Sequence, residues 1–137
     1  MKKKNDFVTN SSSTSFVAWG INLTEEAIFS NEKLIVKVID KLSKKNYEGI
    51  TSIKDLKNNI DDVMEVICYD LITKENILSA TRGPDYDENE IIIGGAVKKI
   101  QDNQTLFEFK QQIIEALKNI GIETNKVYYI EECWRDG

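Results

Sequence analysis

Apolar and polar residues follow one another along this chain in two rhythms, one of period two and one near 3.6, which divide it into strands and helices. Ser15 to Ile21 reads as a first strand, with Phe16, Val17 and Trp19 supplying β-prone bulk and Gly20 and Asn22 ending it. Thr24 before Glu25-Glu26 is a helix start, because a hydroxyl cap and early acids satisfy the unpaired amides of a first turn. Ile28, Ile35, Val38, Ile39 and Leu42 fall on one helical stripe, with a restart accommodated at Ser30 or Asn31. Lys44-Lys45 suit the helix C-terminus, and Tyr47-Glu48-Gly49 reads as a turn. Ser52 and Asp55 have the spacing of a capping box, and Ile53, Leu56, Ile60, Val63, Met64, Ile67 and Leu71 keep helical steps beyond it, with Asn58-Asn59 dividing them in two. The stretch 66–72 fits a strand as well as a helix, since an unbroken apolar run satisfies both periods.

The second half is more sharply punctuated. Ile77 to Thr81 predicts a short strand, followed by a turn at Arg82-Gly83-Pro84-Asp85 around the one proline. Glu90 to Val97 is nearly all apolar, as expected of a strand covered on both faces. Thr105-Leu106-Phe107-Glu108 is a capping box that opens a helix with a wide stripe of Leu106, Phe109, Ile113, Ala116, Leu117 and Ile120, stopped by Gly121 in the left-handed region. Lys126 to Trp134 supplies a last strand. Strand, helix and strand from 90 to 134 predict a βαβ unit with two parallel strands and a right-handed crossover. The whole pattern predicts one α/β domain over residues 15–137, with α+β as the alternative: a small, partly parallel sheet of three to five strands carrying two or three helices. Residues 1–14 are expected to form a polar arm.

Composition narrows the chemistry. The chain has 137 residues and no histidine. Zinc proteases of the H-E-x-x-H kind, Ser-His-Asp and Cys-His hydrolases and two-His-one-carboxylate iron sites all use an imidazole, because it titrates near neutrality and binds metal uncharged. Cys68 and Cys133 match no C-x-x-C spacing and sit in apolar company, which favours inert, buried thiols in a reducing compartment. Met1-Lys2-Lys3-Lys4 imitates the head of a signal peptide, but a polar tract follows where an apolar segment is required, and no window reaches a membrane span. A cytoplasmic protein is expected, without membrane contact and without a metal or other cofactor. Arg82 and Arg135 are the only arginines, few for bidentate recognition of phosphate or guanine, so nucleic acid is a disfavoured partner.

Several constellations invite a functional reading beside a bland one. Asp85-Tyr86-Asp87-Glu88-Asn89-Glu90 begins like a calcium loop, yet its sixth position is Glu90 rather than Gly and its twelfth is Ala96 rather than Glu, which favours a solvated hairpin loop. Its acids, Asp85, Asp87, Glu88 and Glu90, form a candidate patch for a protein partner, since charge clusters steer encounters. Gly94-Gly95 follows a strand without a phosphate-loop pattern, which favours close backbone packing. Glu131 and Glu132, successive in a strand, point to opposite faces; the favoured reading is an edge strand kept soluble by charge, with Lys98 or Lys99 on the neighbouring strand as the alternative partner. Trp134-Arg135 reads equally as an anchored tail and as a binding hook. The hydroxyl run containing Ser11, Ser12, Ser13 and Thr14 is able to cradle an anion, with Arg82 as its cationic complement, or to form local turns.

One resemblance stands out. Asp6-Phe7-Val8-Thr9-Asn10-Ser11-Ser12-Ser13-Thr14-Ser15-Phe16 resembles the D-F-V-T-N-S-S-S-S-S-F start of small uncharacterised proteins from low-GC Gram-positive bacteria and their mobile elements, with Thr14 replacing a serine. The match covers eleven residues, 6–16, and implies no activity and no site residue. The functional expectation is a non-enzymatic binding module, an inhibitor or accessory protein of bacterial or phage origin that contacts another protein through its acidic surface. The alternative is a protein that binds or sequesters a small anionic ligand, a nucleotide or phosphorylated metabolite. A cysteine-dependent enzyme and a nucleic-acid mimic rank below both.

Overall fold

The computed structural model of the chain describes residues 13–45, 49–50, 52–83 and 89–135; the side chains of 13–15 and 132–135 fall outside that description. Strand β1 runs Ser13–Thr24, longer at both ends than the sequence pattern predicts, so Ser13 and Thr14 belong to the sheet rather than to the arm. Thr24 then serves as the cap, its hydroxyl accepting from Ala27 N at 3.1 Å, and starts α1 (Glu25–Phe29). The restart falls at Asn31. Its side-chain oxygen accepts from Leu34 N at 3.1 Å, and its amide donates to Gly121 O at 2.9 Å, which pins the start of α2 (Glu32–Lys44) to the far end of the chain. Ser52 caps α3 (Ile53–Lys57), the two asparagines interrupt it, and α4 (Ile60–Glu65) follows.

The ambiguous stretch is helical. Val66–Leu71 forms a π-helical turn that continues directly from α4 and tightens into a 3₁₀ turn, Ile72–Lys74. Val66, Ile67, Cys68 and Leu71 are all buried, so the apolar run is a helix enclosed on most of its circumference. Strands β2 (Leu78–Arg82) and β3 (Glu90–Ala96) form an antiparallel hairpin. A 3₁₀ turn at Val97–Lys99 leads to α5 (Leu106–Asn119), whose capping box closes on both sides, with Gly121 beyond it at φ +99°. β4 (Tyr128–Arg135) ends the described chain.

The strand order is β2-β3-β1-β4, and each of the three pairings is antiparallel. The fold is therefore α+β, with four strands and, among the described residues, five α-helices rather than two or three. The expected parallel pairing within 90–134 is corrected: β3 and β4 do run the same way, but β1 lies between them and opposes both. Residues Ala18–Thr24 pair with β3 and Ser13–Gly20 pair with β4, so β1 is long enough to serve two neighbours along overlapping halves. Skipping one strand lengthens the crossover by only about 4.8 Å. The segment between β3 and β4 spans that distance as readily as an adjacent one, which is why its sequence does not distinguish the two.

Pleat parity explains which face meets the helices. Trp19, Ile21 and Leu23 share a face with Gly95, Ile93 and Ile91 of β3 and with Leu78 and Ala80 of β2. That face joins one continuous core with Ile28, Leu34, Val38, Leu56, Met64, Ile67, Phe109, Ile113 and Leu117. Ile92, on the opposite face, is also buried, so β3 is covered on both sides as its composition predicts.

Candidate functional site

The acidic hairpin gathers neighbours that its own sequence does not show. Gly83 N donates to Glu90 O at 3.0 Å, closing the base of the β2–β3 loop. Just outside that closure Arg82, at the end of β2, donates from Nη2 to Asn89 Oδ1 at 3.2 Å and holds Asp61 of α4 with Nη1 at 3.6 Å. Asn89 in turn donates from Nδ2 to Glu25 Oε1 of α1 at 3.2 Å. Glu90 stands opposite Thr24, one residue before Glu25. This end of the sheet thus ties the carboxylates of α1 and α4 to one guanidinium, Asp61 directly and Glu25 through Asn89, while the Glu90 side chain lies on the other face of β3 beside Gly83.

Local rules place each of these groups. Glu25 and Asp61 are first-turn acids of α1 and α4, where carboxylates complement the helix dipole. Both helices start at the same end of the sheet, so two separate helix-start signals converge in space. Asp61 is largely solvated, with 85% of its side chain exposed, and its pair with Arg82 is worth about 0–1 kcal/mol. The arrangement does little for stability.

The other predicted site residues are dispersed. Asp85, Asp87, Glu88, Ser11 and Ser12 lie outside the described residues, as do residues 1–12 of the expected arm, the Pro84 turn and residues 46–48. Ser13 pairs with Arg135 and Thr14 with Trp134, at the end of β1 remote from Arg82. Nine residue steps of strand separate Thr14 from Leu23, which lies in register with Arg82 through Ile91; that is about 30 Å. Ser13 and Thr14 therefore do not meet Arg82, and the Trp134-Arg135 segment sits at the same remote end of β1. Glu131 is exposed on β4, an edge of the sheet, whereas Lys99 donates to Asn76 O at 2.6 Å and Lys98 shares its 3₁₀ turn, so neither lysine belongs to a strand beside β4.

The thiol of Cys68 is buried, and burial pushes its pKa up to about 11 against a small opposing pull from Arg82. It stays protonated at neutral pH and is a poor nucleophile. Among the described residues no three Cys, Asp or Glu side chains converge as metal ligands, and no helix is long and apolar enough to cross a membrane. Sequence reasoning named Arg82 only as the complement of the hydroxyl run and missed Glu25, Asp61 and Asn89 as its neighbours; the visible signal was two acid-rich helix starts, which local rules read as capping alone. No protein-family model, curated protein or solved structure matches this chain.

Proposed function

We propose that this chain is a non-catalytic binding protein, an inhibitor or accessory factor that engages a basic surface of a protein partner through the acidic end of its sheet. The observation that supports this reading is the Arg82–Asn89 relay, which ties Glu25 and Asp61 to the base of the acidic hairpin. A single run of acids is a diffuse charge; Glu25 of α1 and Asp61 of α4, held at the base of the hairpin, add to it a broader, better-directed field, which raises association rates with a cationic partner. Arg82 keeps those acids from repelling one another and fixes the hairpin's root. Trp134 and Arg135, at the other end of β1, lie outside this surface.

The test uses tagged full-length chain to capture partners from the source organism, in parallel with an Asp85→Asn/Asp87→Asn/Glu88→Gln/Glu90→Gln variant and an Arg82-preserving Glu25→Gln/Asp61→Asn variant. A partner that binds through this surface is retained by the native chain and lost by the fourfold variant. Its association rate falls at least about tenfold, and the dependence of that rate on salt flattens, with a smaller fall for the double variant. Equal association rates for all three proteins would refute the acidic surface.

A further inference from the structure

A second feature, away from the acidic end, has the opposite sign. Between α2, the π-helical turn and the C-terminal end of α5 lies a cleft of about 520 Å³, within the roughly 300–1,000 Å³ range of small-molecule sites. Four lysines line it, Lys37, Lys41 and Lys44 from one face of α2 and Lys74 from the 3₁₀ turn, in a chain whose net charge is −5. Two of the three acids of the cleft are paired with lysines, and the third is hydrogen-bonded to an amide. Asp40 pairs with Lys44 at 3.1 Å, Asp70 with Lys45 at 2.6 Å, and Glu75 accepts from Asn119 Nδ2 at 2.7 Å. Among the described residues no ion pair or side-chain hydrogen bond engages the ammonium groups of Lys37, Lys41 or Lys74.

Two further observations point the same way. Lys37 and Lys41 stand four apart on α2, which puts both ammonium groups on the helix face that lines the cleft. The wall opposite them is the π-helical turn, a departure from regular helix that commonly accompanies functional sites; it carries Asp70 and Leu71 to the cleft, and Thr73 Oγ1 braces it by donating to Asp70 O at 2.7 Å. The lining also includes apolar surface, with Val36 66% exposed beside Leu71 and Ile120. Separate ammonium groups act as point charges that suit a tetrahedral phosphate from several directions, without the planar fork that arginine offers a carboxylate.

We propose that the cleft lined by Lys37, Lys41 and Lys74 binds a small organic phosphate, its dianionic group among the three ammoniums and its carbon skeleton against Val36, Leu71 and Ile120. This site is independent of the acidic end and shares no residue with the alternative anion site of Ser11, Ser12, Ser13, Thr14 and Arg82.

The test titrates the full-length protein with phenyl phosphate, inorganic phosphate and phenol while amide NMR shifts are followed. Phenyl phosphate is expected to give saturable shifts confined to residues 36–44, 70–75 and 119–120, with a dissociation constant of about 1 mM or tighter; inorganic phosphate binds at least about tenfold more weakly, and phenol does not saturate. The Lys37→Gln/Lys41→Gln/Lys74→Gln variant keeps a folded spectrum and loses the response. A Lys54→Gln/Lys57→Gln/Lys98→Gln variant, matched in charge but altered elsewhere, retains it. The proposal is overturned if none of these residues shows saturable shifts up to about 10 mM phenyl phosphate, if both triple variants lose the response equally, or if inorganic phosphate binds as well as the ester.

Discussion

Gly94 sits where a side chain has nowhere to go. A Cβ there would lie 2.3 Å from Trp19 O and 2.6 Å from the Cα of Gly20, both backbone atoms that cannot yield without parting β1 from β3. Gly94→Ala is therefore expected to destabilise the protein by about 2 kcal/mol or more in denaturant unfolding. At Gly95 the nearest atoms are the side-chain ends of Ile113 and Phe109, which are able to shift, so Gly95→Ala costs less. This order of effects separates strand packing from a phosphate loop, in which either glycine would matter chiefly for binding. Cys68 offers a second check. Its raised pKa means that the folded state holds the thiol proton more tightly than the unfolded chain, so the associated stability is whole below the unfolded value of 9.0 and is lost as pH climbs toward about 11. Cys68→Ala removes that part of the alkaline decline, read as a difference between two stability–pH curves. In a Cys133→Ser background the native thiol labels slowly at neutral pH; rapid labelling would contradict its enclosure.

Helix starts are the parts most plainly written in the chain, because a cap is a contract between residues three positions apart. Thr105 and Glu108 show it in full: Glu108 N donates to the threonine hydroxyl at 3.1 Å, and Thr105 N donates to the Glu108 carboxylate at 2.8 Å. The backbone hydrogen bond from Thr105 holds the Glu108 carboxyl below its ordinary range. A lowered folded value means that the cap's contribution is present above the unfolded glutamate range, about 4.3, and fades as pH falls through the folded value. Glu108→Gln is expected to flatten that part of the acid limb in thermal unfolding while changing neutral-pH stability less than Thr105→Ala, which removes the hydroxyl acceptor outright. Asn31 shows the limit of local reading. Its cap is visible in sequence, but its second bond, to Gly121 O, joins positions 90 residues apart. The 66–72 run is illegible for a different reason: with apolar residues on nearly every side, neither period stands out, and burial by α2 and the sheet chose the helix.

Across the molecule, the long β1 organises charge as well as strands. By separating β3 from β4 it sends Trp134 and Arg135 to one end and Arg82 and Glu90 to the other, about 30 Å away by strand rise. A partner patch of standard size, roughly 800 Å² and so about 30 Å across, reaches both only at its margins. The two proposals therefore concern distinct contact regions, the acidic end and the lysine-lined cleft. Their separation predicts additive behaviour, so the fourfold acidic variant binds phenyl phosphate with unchanged saturation behaviour, measured by the same NMR titration. Of the cleft's lysines only Lys44 drew notice in the sequence, as a residue suited to a helix C-terminus, and nothing local marked Lys74 as a neighbour of α2.

What the order of residues determined alone was whatever depends on spans of a few positions: the capped starts of α1, α3 and α5, the break at Asn58-Asn59, the stop at Gly121, the burial of β3, and the absence of imidazole chemistry. Hydrogen bonds three residues apart and the periodic placement of side chains need no distant partner to be recognised. Strand order, the antiparallel sheet, the linking of Asp61 to Glu25 through Arg82 and Asn89, and the cleft between α2 and α5 were decided only by the folded whole. Each depends on which surfaces pack together, and a flexible connection of sufficient length is compatible with several such choices; burial of the shared core selects one.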